Sequence, residues 1–561
     1  MPTPSPLLDS CIRGNDGCGA FLVDAAKPLG YVAVWRWQAM NGTFRDYIEL
    51  LRDNDELLDI RKPVDLRDVA ALTDQSDKAL LFENPVGYSM PVACGMLQKR
   101  ERLAIALDAP YPEIHKRFQW AMSNSIDPVT VEDAPVKEFM QLGADVDLFK
   151  LPVPIFSTLD GAPMITAAVV ISEDPEYGMN AGCYRLMLKE RNVTGIDIVT
   201  PNNLHNFTRR ALAENRPLPI SISIGVHPRE LMGALFKASL GTNELGFAGG
   251  LGGRPVELTP GVAGPVPFIA GSEIVLEGEI PPEGWVHPEG PFGEFSRLVG
   301  GTHRNPNVHI KSVLHRRDPI YYALHMPWEN LWMSAPIYEA AAWRVMAETG
   351  VQVTAINVTP GGCCHWHIVA SIKKSPGDGK NAIAALLSIA DIKYVVVTDD
   401  DIDIYDPVEV EWAIATRVQA DRDTVILSNA RSKPLDPSIP PSANGVPTTA
   451  KMGIDATIPE NVPRYRYNRI VYHNQGEAIL DDYLGESPAA PQPAAAGEDT
   501  IERLAEQTLN LLREKRLTFS ELLDTYSDEG FATVMALVGR LNERKQITLD
   551  DEGKYMPAEE M

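Results

Sequence analysis

The sequence predicts a multidomain protein of mixed α+β and α/β class, built around a central antiparallel β-barrel. Three observations predict it. The chain has 561 residues, more than one hydrophobic core supports, so two or three domains are expected. Residues 151–330 carry many short β-branched runs punctuated by glycine and proline, among them Ile165–Ile171, Ile220–Ile224 and Val308–Leu314, the pattern of an antiparallel barrel. On both sides of that region helix-like and strand-like runs alternate, the pattern of α/β layers.

In chain order, residues 1–39 lack core patterning. Pro2, Pro4, Pro6, Gly14, Gly17 and Gly19 interrupt any periodicity, and the segment reads as a non-native or disordered extension ahead of a natural start at Met40. Apolar residues at helical spacing from Phe44 to Leu51 then open an N-terminal α/β region, residues 40–150. The barrel occupies 151–330. A second α/β region follows over 331–485. In it Tyr394–Val397 reads as a strand, and Asp406-Pro407-Val408-Glu409 as N-cap, N1 proline and N3 glutamate of a helix carrying Trp412 and Ile414. Residues 486–499 are rich in proline and alanine, a linker. Over 500–561, Leu504, Leu511 and Leu512 fit one helix, Leu522 and Leu523 a second, and Val534, Leu537, Val538 and Leu541 a third. Ile547–Tyr555 reads as a closing hairpin, which makes a small winged-helix-like module.

Composition narrows the function classes. A net charge of −25 argues against nucleic acid and anionic membranes as partners. The last module carries eight Lys and Arg against thirteen Asp and Glu, so it suits protein contact or capping better than DNA. No apolar run is long enough to span a bilayer, and no signal peptide is evident. The six cysteines show no disulfide framework, consistent with a reducing cytoplasm. An acidic surface repels a carboxylate substrate at long range, so positive charge must be local to the site, with Arg185 as the candidate.

The chain is organised around Glu289-Gly290-Pro291-Phe292-Gly293-Glu294-Phe295, two carboxylates five residues apart on a Gly-Pro-Phe-Gly turn. Such a turn can aim both acids into one cavity, where crowding and burial separate their pKa values. The stretch resembles the Glu-Gly-Pro-Phe-Gly-Glu signature of the UbiD family of reversible (de)carboxylases. Ser272–Gly278, Asn180-Ala181-Gly182-Cys183-Tyr184-Arg185 and Lys451-Met452-Gly453-Ile454-Asp455-Ala456-Thr457 resemble further motifs of that family in the same order. The resemblance covers about residues 40–470. It implies a flavin-reductase-like split barrel, a C-terminal α/β oligomerisation domain, and prenylated FMN supplied by a flavin prenyltransferase. It also implies a homodimer or homohexamer. The implied activity is non-oxidative decarboxylation of an aromatic or α,β-unsaturated acid, with release of CO2, through a covalent prenylated-FMN adduct.

Residue by residue, the resemblance implies Arg185, Glu289 and Glu294 as the catalytic set, with Glu294 the proton donor and Arg185 holding Glu289 and the substrate carboxylate. Asn180, His205 and Glu244 match the family's Asn/His/Glu metal set by order and approximate spacing, for Mn2+ or another divalent cation, with K+ as an additional ion. His205 is chosen as the only histidine between Arg185 and His227. Thr166, Ser239, Arg185, Asn180 and Lys451 are the expected cofactor contacts, Lys451 reaching the phosphate. Trp328 and Trp332 are candidates to sandwich an aromatic acid, or else are core or dimer contacts, and Arg297 to read a second polar group. Two further clusters are read as structural: Cys363-Cys364-His365-Trp366-His367, and the acidic turn Asp399-Asp400-Asp401-Ile402-Asp403. Gly249–Gly253 is not a dinucleotide fingerprint, because no helix pattern follows it. The alternatives are a carboxylase subunit of a larger aromatic-degradation complex, or a non-catalytic flavin-binding regulator.

Overall fold

The computed structural model describes residues 42–199, 201–433, 435–440, 447–484 and 496–560. The expected extension over 1–39, and residues 486–495 of the expected linker, lie outside the described residues. The chain divides after Thr457 into two compact units.

The centre of the first unit is a closed barrel of six antiparallel strands: β1 (Met164–Asp174), β2 (Gly178–Glu190), β3 (Val193–Ile196), β4 (Leu218–Ile224), β5 (Ile274–Ile280) and β6 (Asn307–His315). They follow the order β5-β4-β1-β2-β3-β6, and β6 pairs back onto β5. Closure removes the free edges that an open sheet would expose. β1 is buried on both faces. Ile165, Ala168 and Val170 point into the barrel core with Ile222 and Leu276, while Ala167, Val169 and Ile171 meet the outer helices. A bulge between Ile165 and Ala168 resets this alternation at Thr166.

Three helices cover that outer face: Ile114–Ser123, Pro228–Ala234 and α2 (Glu244–Gly252). A further helix, α1 (Asn203–Ala213), packs on β1, β2 and β4. The glycine run forms the last turn of α2, with Gly253 as its C-cap. A Cβ on Gly249 would stand 2.3 Å from the Ile126 carbonyl oxygen and one on Gly250 2.8 Å from that of Asn124, so only glycine lets the neighbouring backbone approach so closely.

Sequence order does not follow the sheets. Strand Tyr321–Ala323, read as part of the barrel region, joins the N-terminal sheet beside Val92–Cys94. Strand Phe139–Leu142, read as N-terminal, pairs with β6. The C-terminal α/β layer is a five-stranded sheet of β7 (Gln352–Val358), β8 (His367–Lys373), β9 (Tyr394–Asp399), β10 (Thr424–Arg431) and β11 (Thr448–Ala456), in the order β7-β8-β9-β11-β10. Helix α3 (Trp328–Ala347) links it to the barrel, and α4 (Asp378–Leu387) packs on its face. Asp406 caps the helix Pro407–Arg417 as expected, its Oδ1 accepting from the Val408 N–H at 2.9 Å.

The second unit contains helices Glu498–Glu514, Phe519–Thr525 and Phe531–Glu543 and a hairpin of Ile547–Leu549 with Tyr555–Pro557. They close over Leu504, Leu512, Leu522, Val534, Leu537 and Leu541. No described helix is long and apolar enough to cross a membrane.

Candidate active site

Arg185 lies on β2 with its guanidinium buried, and three carboxylates converge on it. Its Nε and Nη2 donate to the two oxygens of Glu289 at 3.0 and 2.9 Å, a bidentate fork. Its Nη1 donates to Glu294 Oε1 at 2.7 Å. Nη2 also reaches Asp197 Oδ2 at 3.0 Å. Glu289 ends a short strand, His287–Glu289, paired with His303–Asn305, and is fully buried. Room for it depends on Gly195, where a Cβ would meet the Glu289 side chain at 3.0 Å. Glu294 sits in the turn that follows. The Glu294 N–H donates to the Leu298 carbonyl, Arg297 N–H to the Glu294 carbonyl and Gly300 N–H to the Phe292 carbonyl, so a tight turn fixes the acid. Phe295, next to it, is anchored in the core of the C-terminal layer, stacked on His365 at 4.0 Å.

The structure brings Arg185, Glu289 and Glu294 together, and beside them Asp197 and Asn305, which the sequence reading did not single out. Asn305 is fully buried. Its Oδ1 accepts from Ile198 N–H at 3.1 Å, which turns its Nδ2 toward Asp197 Oδ1 (3.2 Å) and Glu289 Oε2 (3.5 Å). Neither lies in a family-like motif, so no local signal marked them. Burial pushes the Glu294 carboxyl above its ordinary pKa; Arg185 opposes this, and Asp197 and Glu289 reinforce it.

The three residues expected to hold a metal do not all come together. Asn180, on β2, and Glu244, first residue of α2, are buried near each other: the Ala181 N–H donates to Glu244 Oε2 at 2.9 Å. His205 does not join them. Its Nδ1 is bonded to the Ile198 carbonyl at 2.8 Å, and its ring packs on Trp285 at 4.5 Å, two residues further along α1 than Asn203 and turned to another face. The residue that meets Glu244 is Asn203, the first of α1, whose Nδ2 donates to Glu244 Oε1 at 3.2 Å. The search for a histidine passed over it. The signal available was Asn202-Asn203 at the start of an amphipathic run, where Asn202 is the N-cap. Among the described residues no three His, Cys, Asp or Glu converge on a metal position.

Thr166 lines the cavity from the β1 bulge, its hydroxyl donating to the Leu324 carbonyl at 3.0 Å. Ser239 lies in an exposed loop between Lys237 and Thr242. Lys451 is buried and donates to the carbonyls of Leu387, Ile389 and Ala390 at 3.0, 2.7 and 3.1 Å. It caps the C-terminal end of α4 instead of reaching the cavity. Trp328 donates to Asp74, and Trp332 packs against Arg100, so neither ring lines the cavity. Arg297 stacks over Trp328 at 5.6 Å. Cys363 and Cys364 both have positive φ and precede β8, so Cys363, His365 and His367 share no strand face. Asp399 and Asp401 pair with Arg417 at 3.1 and 2.6 Å, a structural role.

The cavity beside Arg185 is lined by Thr166, Glu294, Asp197, Phe292, Met326 and Met333 among others. A carboxyl triad on one arginine, with Glu289 fully buried and Asp197 and Glu294 partly so, beside a cavity at a closed antiparallel barrel, is suited to moving a proton onto a bound acid.

The comparisons agree. Residues 127–327 match the 3-octaprenyl-4-hydroxybenzoate carboxy-lyase Rift-related domain, 331–456 its C-terminal domain and 48–122 its N-terminal domain. The anhydromevalonate phosphate decarboxylase of Methanosarcina mazei is 36% identical over 421 residues, which cover 74% of this chain and 96% of that protein. The structure of the UbiD-class enzyme HmfF from Pelotomaculum thermopropionicum in complex with FMN superposes with a TM-score of 0.74 at 38% identity, covering 79% of this chain and all of that one. An evolved dimeric form of the same enzyme with prFMN superposes at 0.72 and 36% identity, with coverage of 79% and 100%. Fold and site thus define a decarboxylase, a carboxy-lyase. The chain belongs to the UbiD family.

Proposed function

We propose that this chain catalyses non-oxidative decarboxylation of an α,β-unsaturated acid in a prenylated-FMN-dependent reaction, with Glu294 as the proton donor. The observation that carries this is the convergence of Arg185, Glu289 and Glu294 at one cavity, with Glu294 the carboxyl held by a single guanidinium hydrogen bond. Prenylated FMN, when bound, supplies the sink for the electron pair that departing CO2 leaves behind. Arg185 holds the site's negative charges and orients Glu294. Glu289 fixes the Arg185 fork from a position closed to water. Glu294 in its neutral form delivers the proton to the carbon that has lost CO2.

The residues present fit the cofactor. The N-termini of α1 and α2 meet where Asn203 touches Glu244, and two helix N-termini favour a phosphate. Asn180 Nδ2 is buried with no hydrogen-bond partner, and burial raises the Glu244 carboxyl, whose hydrogen-bond donors here are neutral. A hard divalent cation such as Mn2+, held by oxygens of Asn180, Asn203 and Glu244, would balance the Glu244 carboxylate and offset the phosphate charge. Lys451 has no part in this assignment.

The cavity lining favours an aliphatic over an aromatic acid. Leu235, Leu324, Met326 and Met333 form its aliphatic side, with the rings of Tyr184 and Phe292 beside Arg185, Phe292 at 5.4 Å from the guanidinium. Anhydromevalonate phosphate, named for the Methanosarcina relative, is therefore the first acid to test. Exposed Ile426 and Leu427 on edge strand β10 support a homo-oligomer formed through the C-terminal layer. Among the described residues Cys94, Cys183, Cys363 and Cys364 are free, which suits a cytoplasmic location. The test is CO2 release by protein co-expressed with a flavin prenyltransferase, from anhydromevalonate phosphate and a panel of acrylic and aromatic acids. Release from the unsaturated aliphatic acids is expected. Prenylated-flavin-loaded protein that decarboxylates none of them overturns the reading.

A further inference from the structure

We propose that Asp197 is a positioning residue that keeps Glu294 in its acid form: with Glu289 it fills the Arg185 fork and leaves Glu294 the weakest-held of three carboxylates. This rests on the reading of Glu294 as the proton donor. A guanidinium has five N–H groups in a fixed plane. Here Nε and Nη2 serve Glu289, Nη2 also serves Asp197, and Nη1 serves Glu294.

One positive charge faces three carboxylates in a largely closed site, and like charges at such separations do not all ionise. Which of them takes the proton follows from their partners. Glu289 has two guanidinium bonds and the Asn305 amide. Asp197 has an ion pair with the guanidinium at 3.0 Å, the Asn305 amide at 3.2 Å, the Val199 N–H at 3.3 Å and partial access to water. Glu294 has the single Nη1 bond and faces the cavity. The proton therefore falls on Glu294, the carboxyl placed to deliver it. Asn305 is the wedge that makes the arrangement specific, since its amide bridges Asp197 and Glu289 and reaches no atom of Glu294.

The other charged groups facing this cluster do not reverse the order. Lys433, from the C-terminal layer, faces Glu294 but is buried over the Phe295 ring, and burial lowers it to about 8. Asp160 faces Arg185, with burial raising its carboxyl. Lys189 faces Glu289 and donates to Asn307 at 2.7 Å.

The test is an infrared pH titration of the protonated-carboxyl band in flavin-loaded protein carrying isotope-labelled glutamate, comparing wild type, Asp197→Asn and Glu294→Gln. A labelled band that disappears in Glu294→Gln and whose midpoint falls by about one pH unit in Asp197→Asn is expected, because removing a like charge at this range lowers a carboxyl by about that much. Asp197→Ser, smaller and also neutral, gives the same shift if Asp197→Asn does not fold. An unchanged midpoint overturns the proposal. So does a loss of thermal stability or flavin content without a shift, which is what a merely structural aspartate produces. The titration reads Glu294 without turnover, so failure of the proton-donor reading, seen as wild-type decarboxylation by Glu294→Gln, is distinguished from failure of the role given to Asp197.

Discussion

Glu289 and Glu294 are the same residue type five positions apart, and what separates them is how each meets Arg185. Glu289 is fully buried in a bidentate pair, whereas Glu294 has one bond and an open side. Glu294→Gln keeps the size and the hydrogen bond and removes the exchangeable acid. It is expected to leave folding and flavin content intact and to lower kcat by on the order of 10²–10⁴-fold, read by steady-state CO2 release and by loss of solvent-deuterium incorporation into product. Near wild-type incorporation would remove Glu294 from the role. Arg185→Lys replaces a planar fork by a point charge that cannot hold three carboxylates in register. Arg185→Lys and Glu289→Gln should each impair turnover, and the double variant should be no worse than the poorer single, because both break one unit. Additive losses would show that the two act separately.

At the scale of elements, the two helix N-termini are the decisive device. α1 and α2 begin at Asn203 and Glu244, and their caps, Asn202 and Asn243, each accept a backbone N–H at 2.9 Å. The glycines of α2 let it sink against Ile126 and Asn124, which sets where Glu244 stands. Glu244→Ala and Asn203→Ala are expected to lose bound metal and flavin together, measured by metal analysis and flavin absorbance of the purified protein. His205→Ala, two residues further along α1 on another face, should keep both. Loss of metal in His205→Ala with retention in Asn203→Ala would restore the histidine and remove the asparagine.

At the scale of the whole molecule, Glu339 of α3 joins the N-terminal region to the C-terminal layer. It accepts from the Tyr111 hydroxyl at 2.9 Å and from the Val358 N–H at 3.3 Å. Burial raises its carboxyl from 4.5 to about 7. A carboxyl raised in the fold gives stability that is fully present below about 4.5 and is lost as pH rises through about 7. The loss is on the order of 3 kcal/mol. Glu339→Gln keeps an acceptor without the titration. Its unfolding temperature relative to wild type should therefore rise between acidic and mildly alkaline pH, and a constant difference would sink the idea. The exposed edge of β10 gives a second test: Ile426→Lys should lower the oligomeric mass measured by light scattering, and an unchanged mass would place the interface elsewhere.

The sequence by itself determined the elements and the core of the chemistry. β-branched runs bounded by glycine and proline marked strands within β1, β4 and β6, because local propensity and burial agree there. The turn from Glu289 to Glu294 and the segment ending at Arg185 marked the carboxylate pair and the arginine that meets it, because each is a contiguous stretch. Tertiary structure alone decided what depends on distant backbone. Asp197 and Asn305 enter the site only because β3 runs beside β6 and the strand His303–Asn305 pairs with His287–Glu289. Asn203 displaces His205 because the start of α1, fixed by a cap, and not residue type, decides which side chain meets Glu244. Lys451 turns to the end of α4 because three carbonyls there lack helical partners, and a buried ammonium takes whichever acceptors packing brings to it.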